Sequence, residues 1–151
     1  MHALTSLLSQ AEQARDAARQ RLLDAERGQR QDLAQAEQLD AYRRETQQRW
    51  AVQSGQAAAV QIMLCYRGFM DRLEQAITQQ QQACAQAERQ VALAREALAD
   101  CEMRVASVRK LIDRRRQALR LIEQRLDQKR VDEAGQRAAW VRLRRSDSTH
   151  H

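Results

Sequence analysis

Through residues 62–126 an apolar residue returns at alternating steps of three and four, and that repeat limits the fold more than any other feature. The row is Ile62, Tyr66, Phe69, Leu73, Ile77, Gln80, Cys84, Ala87, Val91, Ala94, Leu98, Cys101, Val105, Val108, Ile112, Arg115, Leu119, Ile122 and Leu126. A 3.5-residue period held for about nine heptads draws one stripe along a helix. Such a stripe asks for a partner helix in a left-handed supercoil. One extra four-residue step near Leu73 is a stutter, which relaxes the supercoil locally.

The partner lies upstream. Positions 4, 8, 11, 15, 18, 22, 25, 29, 32, 36, 39, 43, 46 and 50 keep the same alternation, and nine of these fourteen are apolar. Arg15, Gln29, Asp32, Arg43 and Thr46 interrupt the row. Gly28 weakens this helix by about 1 kcal/mol relative to alanine. Between the two rows lies Val52-Gln53-Ser54-Gly55-Gln56, where Gly55 can take the positive φ that ends a helix or Ser54 can cap the next one. The expected fold is all-α: two long helices forming an antiparallel coiled-coil hairpin, the second longer. As a single domain over 1–151, helix one spans about 3–52, the turn about 53–58, helix two about 59–139 and a flexible tail about 140–151.

Composition agrees. The 151 residues include no proline, 3% aromatics and 30% charged residues, with Ala, Gln, Arg, Leu and Glu dominant. All five lose little rotamer freedom in a helix. So few aromatics cannot fill a compact globule, whereas a two-helix seam needs much less apolar volume. A disordered chain is the competing reading of the low hydropathy, but it has no reason to keep a regular repeat.

Folding near residue 55 sets opposite each other residues whose numbers sum to about 111. Leu4 then meets the neighbourhood of Val108, and positions beyond about 110 lack a partner in helix one. Some 25–30 residues of helix two should project by about 40 Å. Residues 104–145 hold fourteen Lys or Arg and five Asp or Glu, a net of +9, whereas residues 1–103 hold twelve and fourteen, a net of −2. Leu119, Ile122 and Leu126 continue the stripe into this basic end. An apolar stripe without an internal partner asks for an external one.

No catalytic constellation emerges, and no cofactor or metal is implied. There is no phosphate loop, and His2, His150 and His151 stand at the chain ends. The chain reads as a non-enzyme. Cys65, Cys84 and Cys101 have no metal-ligand spacing and read as reduced thiols of a cytoplasmic protein, two of them on the seam. No run approaches the roughly 18 apolar residues of a membrane span, and residues 1–10 do not resemble a secretory signal. Direct membrane insertion is not expected. The segment Arg109-Lys110-Leu111-Ile112-Asp113-Arg114-Arg115-Arg116 could attract phosphates. However, no aromatics interleave, and Asp113, Glu123, Asp127, Asp132 and Glu133 break up the basic end. A solvated or protein-docking face is the favoured reading, and nucleic acid is not an expected partner.

The scarce aromatics concentrate elsewhere. Tyr42 and Phe69 sum to 111, Leu39 meets Leu73, and Gln35 meets Ala76. This zone can be seam packing or an exposed anchor for a partner, and spacing does not choose between them. Trp140 reads as the end of a fraying helix or as a second anchor.

Three stretches resemble one family. Tyr66-Arg67-Gly68-Phe69-Met70-Asp71-Arg72-Leu73-Glu74-Gln75-Ala76-Ile77 resembles the start of the second helix of the flagellar export protein FliJ family. Leu126-Asp127-Gln128-Lys129-Arg130-Val131-Asp132-Glu133, followed by Gln136-Arg137-Ala138-Ala139, resembles its C-terminal signature. Ala36-Glu37-Gln38-Leu39-Asp40-Ala41-Tyr42 is similar to the end of its first helix. The C-terminal string is the more specific, because heptads do not require it.

The resemblance implies a stalk of the export apparatus that inserts into the hexameric export ATPase, promotes ring assembly, couples it to the membrane export-gate protein and helps handle export chaperones. Its location would be cytoplasmic, peripheral to the inner membrane at the flagellar base. The gate-binding surface carries over to Gln35, Leu39, Tyr42, Thr46, Phe69, Leu73, Ala76 and Gln80. Thr46 stands where the family can carry an aromatic, and Gln80 where it can carry a histidine. Contacts to the ATPase ring carry over to Asp127, Lys129, Arg130, Asp132, Glu133 and Arg137. A virulence-type secretion stalk is the alternative within this mechanical class.

Overall fold

The computed structural model describes residues 1–53 and 60–148. Two α-helices account for nearly all of them: α1, His2–Gln53, and α2, Val60–Ser148. Among the described residues there is no strand, and no residue has a positive φ. The turn expected at 53–58 falls, apart from Gln53, outside the described residues, as does the His150-His151 pair.

α2 is the longer helix, at 89 residues against 52. It also runs further than the expected end near 139: the segment read as a tail is helical as far as Ser148. The local chemistry accounts for this. Ala138, Ala139, Arg142, Leu143 and Arg144 are strong helix formers. The guanidinium of Arg144 lies 5.9 Å from the centroid of the Trp140 ring, one turn back. Near the end, the hydroxyls of Ser146 and Ser148 donate to the carbonyls of Leu143 and Arg145 at 2.8 and 3.0 Å.

The chain divides into two compact units, Ala11–Arg104 and Met1–Gln10 with Val105–His151, described as far as Ser148. In the first, α1 and α2 pair antiparallel. The amide Nε2 of Gln80 donates to the Asp32 carbonyl at 2.8 Å, and Tyr42 meets Phe69. These pairs sum to 112 and 111, the register expected from the sequence. The core is thin: Ala11, Ala18, Leu73, Ile77 and Val91 are buried, and no side chain is enclosed completely. Two helices can cover only one stripe of each other, so most seam residues are half-buried.

Every position of the α1 row from 4 to 50 is buried or half-buried. Its polar interruptions are accommodated rather than tolerated. Asp32 accepts from Gln80 across the seam, while Arg43 turns aside to Asp40 at 2.7 Å. The Thr46 hydroxyl donates to the Tyr42 carbonyl at 2.8 Å. No buried side-chain polar atom is left without a partner among the described residues. A polar pair inside an apolar seam costs stability but selects one register.

In the second unit Val105, Val108 and Ile112 are buried, and Leu4 and Leu8 are half-buried. Burial stops at Ile112. From residue 113 to residue 148 every residue is exposed. This arm is about 50 Å of single helix at 1.5 Å per residue, slightly longer than the sequence suggested because the helix ends later. A helix standing alone in water is marginal because its first turn is costly to nucleate. Here that turn is already formed upstream, and the arm only propagates it.

Candidate functional sites

The first candidate lies in the Ala11–Arg104 unit. Tyr42 and Phe69 sit edge to face, with ring centroids 6.1 Å apart and planes at 78°. That arrangement directs the positive ring edge at a π face and adds about 1 kcal/mol beyond area burial. The two rings are not equivalent. Tyr42 is 50% exposed, whereas Phe69 is half-buried and Leu73 beneath it is buried. Thus Leu73 belongs to the seam, and Tyr42 presents surface.

Gln35, Leu39, Tyr42 and Gln80 line one shallow hollow together with Gln38. Of the remaining residues assigned to gate binding, Thr46 and Ala76 are half-buried and outside the hollow. Gln38, like Gln35 and Tyr42, lies off the heptad row, and the sequence reading gave it no role. A hollow beside a seam is built by the flanking positions as well as the seam itself. Charge surrounds the zone on α1. Asp40 accepts from Arg43 and Arg44 at 2.7 and 3.1 Å, and Glu45 accepts from Arg49 at 2.7 Å. Such solvated pairs contribute tenths of a kcal/mol and set the local charge more than the stability.

A second aromatic pair escaped the sequence reading. Trp50 and Tyr66 stack with centroids 4.2 Å apart and planes within 7° of parallel. Their numbers sum to 116, not 111. The reason is direction. Helical side chains lean toward their own N-terminus. In an antiparallel pair the tips of long side chains therefore meet at a higher sum than the Cα atoms. Glu26 and Arg95, 3.8 Å apart and summing to 121, are brought together across the helices by the reach of two long side chains.

The second candidate is the arm. Asp127, Lys129, Arg130, Asp132, Glu133 and Arg137 are all exposed. Asp132 accepts from the Gln128 amide at 3.2 Å. Glu133 and Arg137 share a face with Gln136, Trp140, Val141 and Arg144; Asp127, Lys129, Arg130 and Asp132 do not line it. Trp140, 66% exposed, is therefore part of the same surface as two of the predicted contacts. Beyond Leu126 the alternation of the seam row needs a second extra four-residue step to reach Arg130, Glu133, Arg137, Trp140 and Arg144.

Comparison with known proteins decides the family. The family model described as Flagellar FliJ protein matches residues 1–144. The chain belongs to the FliJ family. The Flagellar FliJ protein of Salmonella typhi is 33% identical over 137 residues, covering 91% of this chain and 93% of that protein. The Flagellar FliJ protein of Escherichia coli K12 is 31% identical over the same lengths. Membership of the FliJ family places the chain with flagellar proteins, the first of the two systems the sequence left open. Among the described residues no helix is long and apolar enough to cross a membrane. Nor does any group of His, Cys, Asp or Glu among them have the arrangement to hold a metal ion.

Proposed function

We propose that this FliJ-family chain is a non-enzymatic stalk of the flagellar protein export apparatus. In this reading the arm enters the hexameric export ATPase and promotes ring assembly. The Tyr42 zone engages the membrane export-gate protein, and the chain takes part in handling export chaperones. Peripheral association with the inner membrane then follows from its partners.

The observation that carries the reading is the arm beyond Ile112. It exposes Leu119, Ile122 and Leu126 on one stripe, and the residues around them are strongly basic. Exposed apolar surface of this kind is stabilised by removal from water. Lys129, Arg130 and Arg137 suit a partner lined by carboxylates, which steer association at low salt. A stalk must also be stiff lengthways, and a continuous helix supplies that stiffness.

The test is an ATPase assay of the cognate export ATPase with and without this chain. Hydrolysis should be faster at low enzyme concentration, where ring assembly limits the rate. The triple variant Lys129→Glu, Arg130→Glu, Arg137→Glu should lose most of the stimulation. No stimulation over a wide range of stoichiometry would contradict the stalk reading.

A further inference from the structure

From Trp50 to Tyr66 the sequence contains no Asp, Glu, Lys, Arg or His. The chain as a whole is 30% charged, so a run of seventeen uncharged residues is a sharp local departure. On α2 its apolar residues are exposed: Val60 by 72%, Leu64 by 62%, and Ile62 and Met63 by about half. On α1, Val52 is 78% exposed. These are large side chains in a part of the molecule that the seam does not cover.

Their distribution is informative. At 100° per residue, Val60, Ile62, Met63, Leu64 and Cys65 point in five directions around α2, and only Gln61 among them is polar. A helix that docks into a protein groove shows one apolar face. A helix apolar all round has apolar surroundings on every side, which in water-soluble folds means a core and otherwise means lipid. No core encloses these residues.

The boundary of the run has its own chemistry. Trp50 and Tyr66 stack across the two helices, and Arg49 and Arg67 follow immediately outside them. Aromatic rings with a polar tip favour the level of lipid headgroups, and arginine stems let a cation reach the aqueous side. From Arg49 and Arg67 toward Val52 and Val60 the order is cationic, aromatic, apolar.

We infer that this end of the hairpin, residues 50–52 with residues 60–66, docks on a phospholipid bilayer by shallow insertion of its apolar side chains. The run is shorter than a membrane span and is broken by Gln53, Ser54, Gly55 and Gln56, so a search for spanning segments passes over it. The inference departs from the expectation that the chain makes no direct membrane insertion. It stands independently of the export-stalk reading, because it uses neither the arm nor the Tyr42 zone.

The experiment is vesicle flotation of the full chain, with vesicles of phosphatidylcholine alone and of phosphatidylethanolamine with phosphatidylglycerol. The chain should float with both, and raised salt should remove little of it, because insertion is apolar rather than electrostatic. The variant Val60→Glu with Leu64→Glu alters two exposed positions and should keep its helical circular dichroism. Its partitioning should fall on the order of tenfold or more. In a Trp140→Phe background, the fluorescence of Trp50 should shift to the blue on binding and be quenched by brominated lipid. Failure to float with either vesicle would overturn the inference. So would flotation that survives the double variant, or flotation that salt abolishes, which would point to the basic arm. Concentration-dependent dimers lost in the double variant, with no lipid binding, would assign the surface to a second copy instead.

Discussion

The α2 stretch ending at Ile112 and the stretch beyond it carry the same alternation of steps, yet one is seam and the other is surface. Val91, Val105, Val108 and Ile112 are buried, whereas Leu119, Ile122 and Leu126 on the continuing row are about half exposed. A heptad row states which side of a helix faces a partner. It does not state whether the partner belongs to the same chain. That comes from the observed burial, which on α2 stops at Ile112. The difference is therefore thermodynamic before it is functional: one stretch contributes to folding, and the other leaves its apolar area in water.

Substitution should separate the two sharply. Val91→Asp places a carboxylate in the seam without a partner and should cost about 3 kcal/mol or more in urea melts. Leu126→Asp, on the same row in the arm, should change stability by roughly 0.5 kcal/mol or less. Comparable losses at both positions would mean that the arm is covered in the free chain.

A finer division runs through the aromatic zone. Leu73→Ala should cost about 2 kcal/mol, as expected for a buried leucine. Tyr42→Ala should cost about 1 kcal/mol or less and leave helicity intact. Together with Phe69→Ala it should abolish binding to the export-gate protein in a pull-down. A sharp fall in melting temperature for Tyr42→Ala would return that residue to the seam.

Gln80→Leu tests the register. Losing the bond to the Asp32 carbonyl should cost about 1 kcal/mol, partly offset by a more apolar seam. Double electron–electron resonance between labels at Arg27 and Glu88 should then show a broader distance distribution. The smallest effect is expected at Gly28, which has an ordinary helical backbone and nothing within 4 Å of an added Cβ. Gly28→Ala should stabilise the chain by up to about 1 kcal/mol, measured by thermal melting.

Much of this architecture was legible because periodicity and pairing are properties of the backbone. Each of the fourteen α1 row positions is at least half-buried, and Tyr42 meets Phe69 at the sum that simple folding dictates. What escaped depends on side-chain reach. Trp50 stacks on Tyr66 through two large side chains that lean toward their own N-termini, and a rule written for Cα atoms does not pair them. The Asp32–Gln80 bond escaped because seam logic ranks polar residues as defects. The helix end at Ser148 escaped because basic residues were read as tail, although arginine is a good helix former.

Amide hydrogen exchange of the full chain, alone and with the cognate export ATPase, tests the central division most directly. In the free chain, amides at 113–148 should exchange far faster than those at 73–112, and the ATPase should protect a block containing Leu119, Ile122 and Leu126 through Arg137. Equal protection of the two stretches in the free chain, or an arm left unchanged by the ATPase, would contradict an arm that waits for a partner.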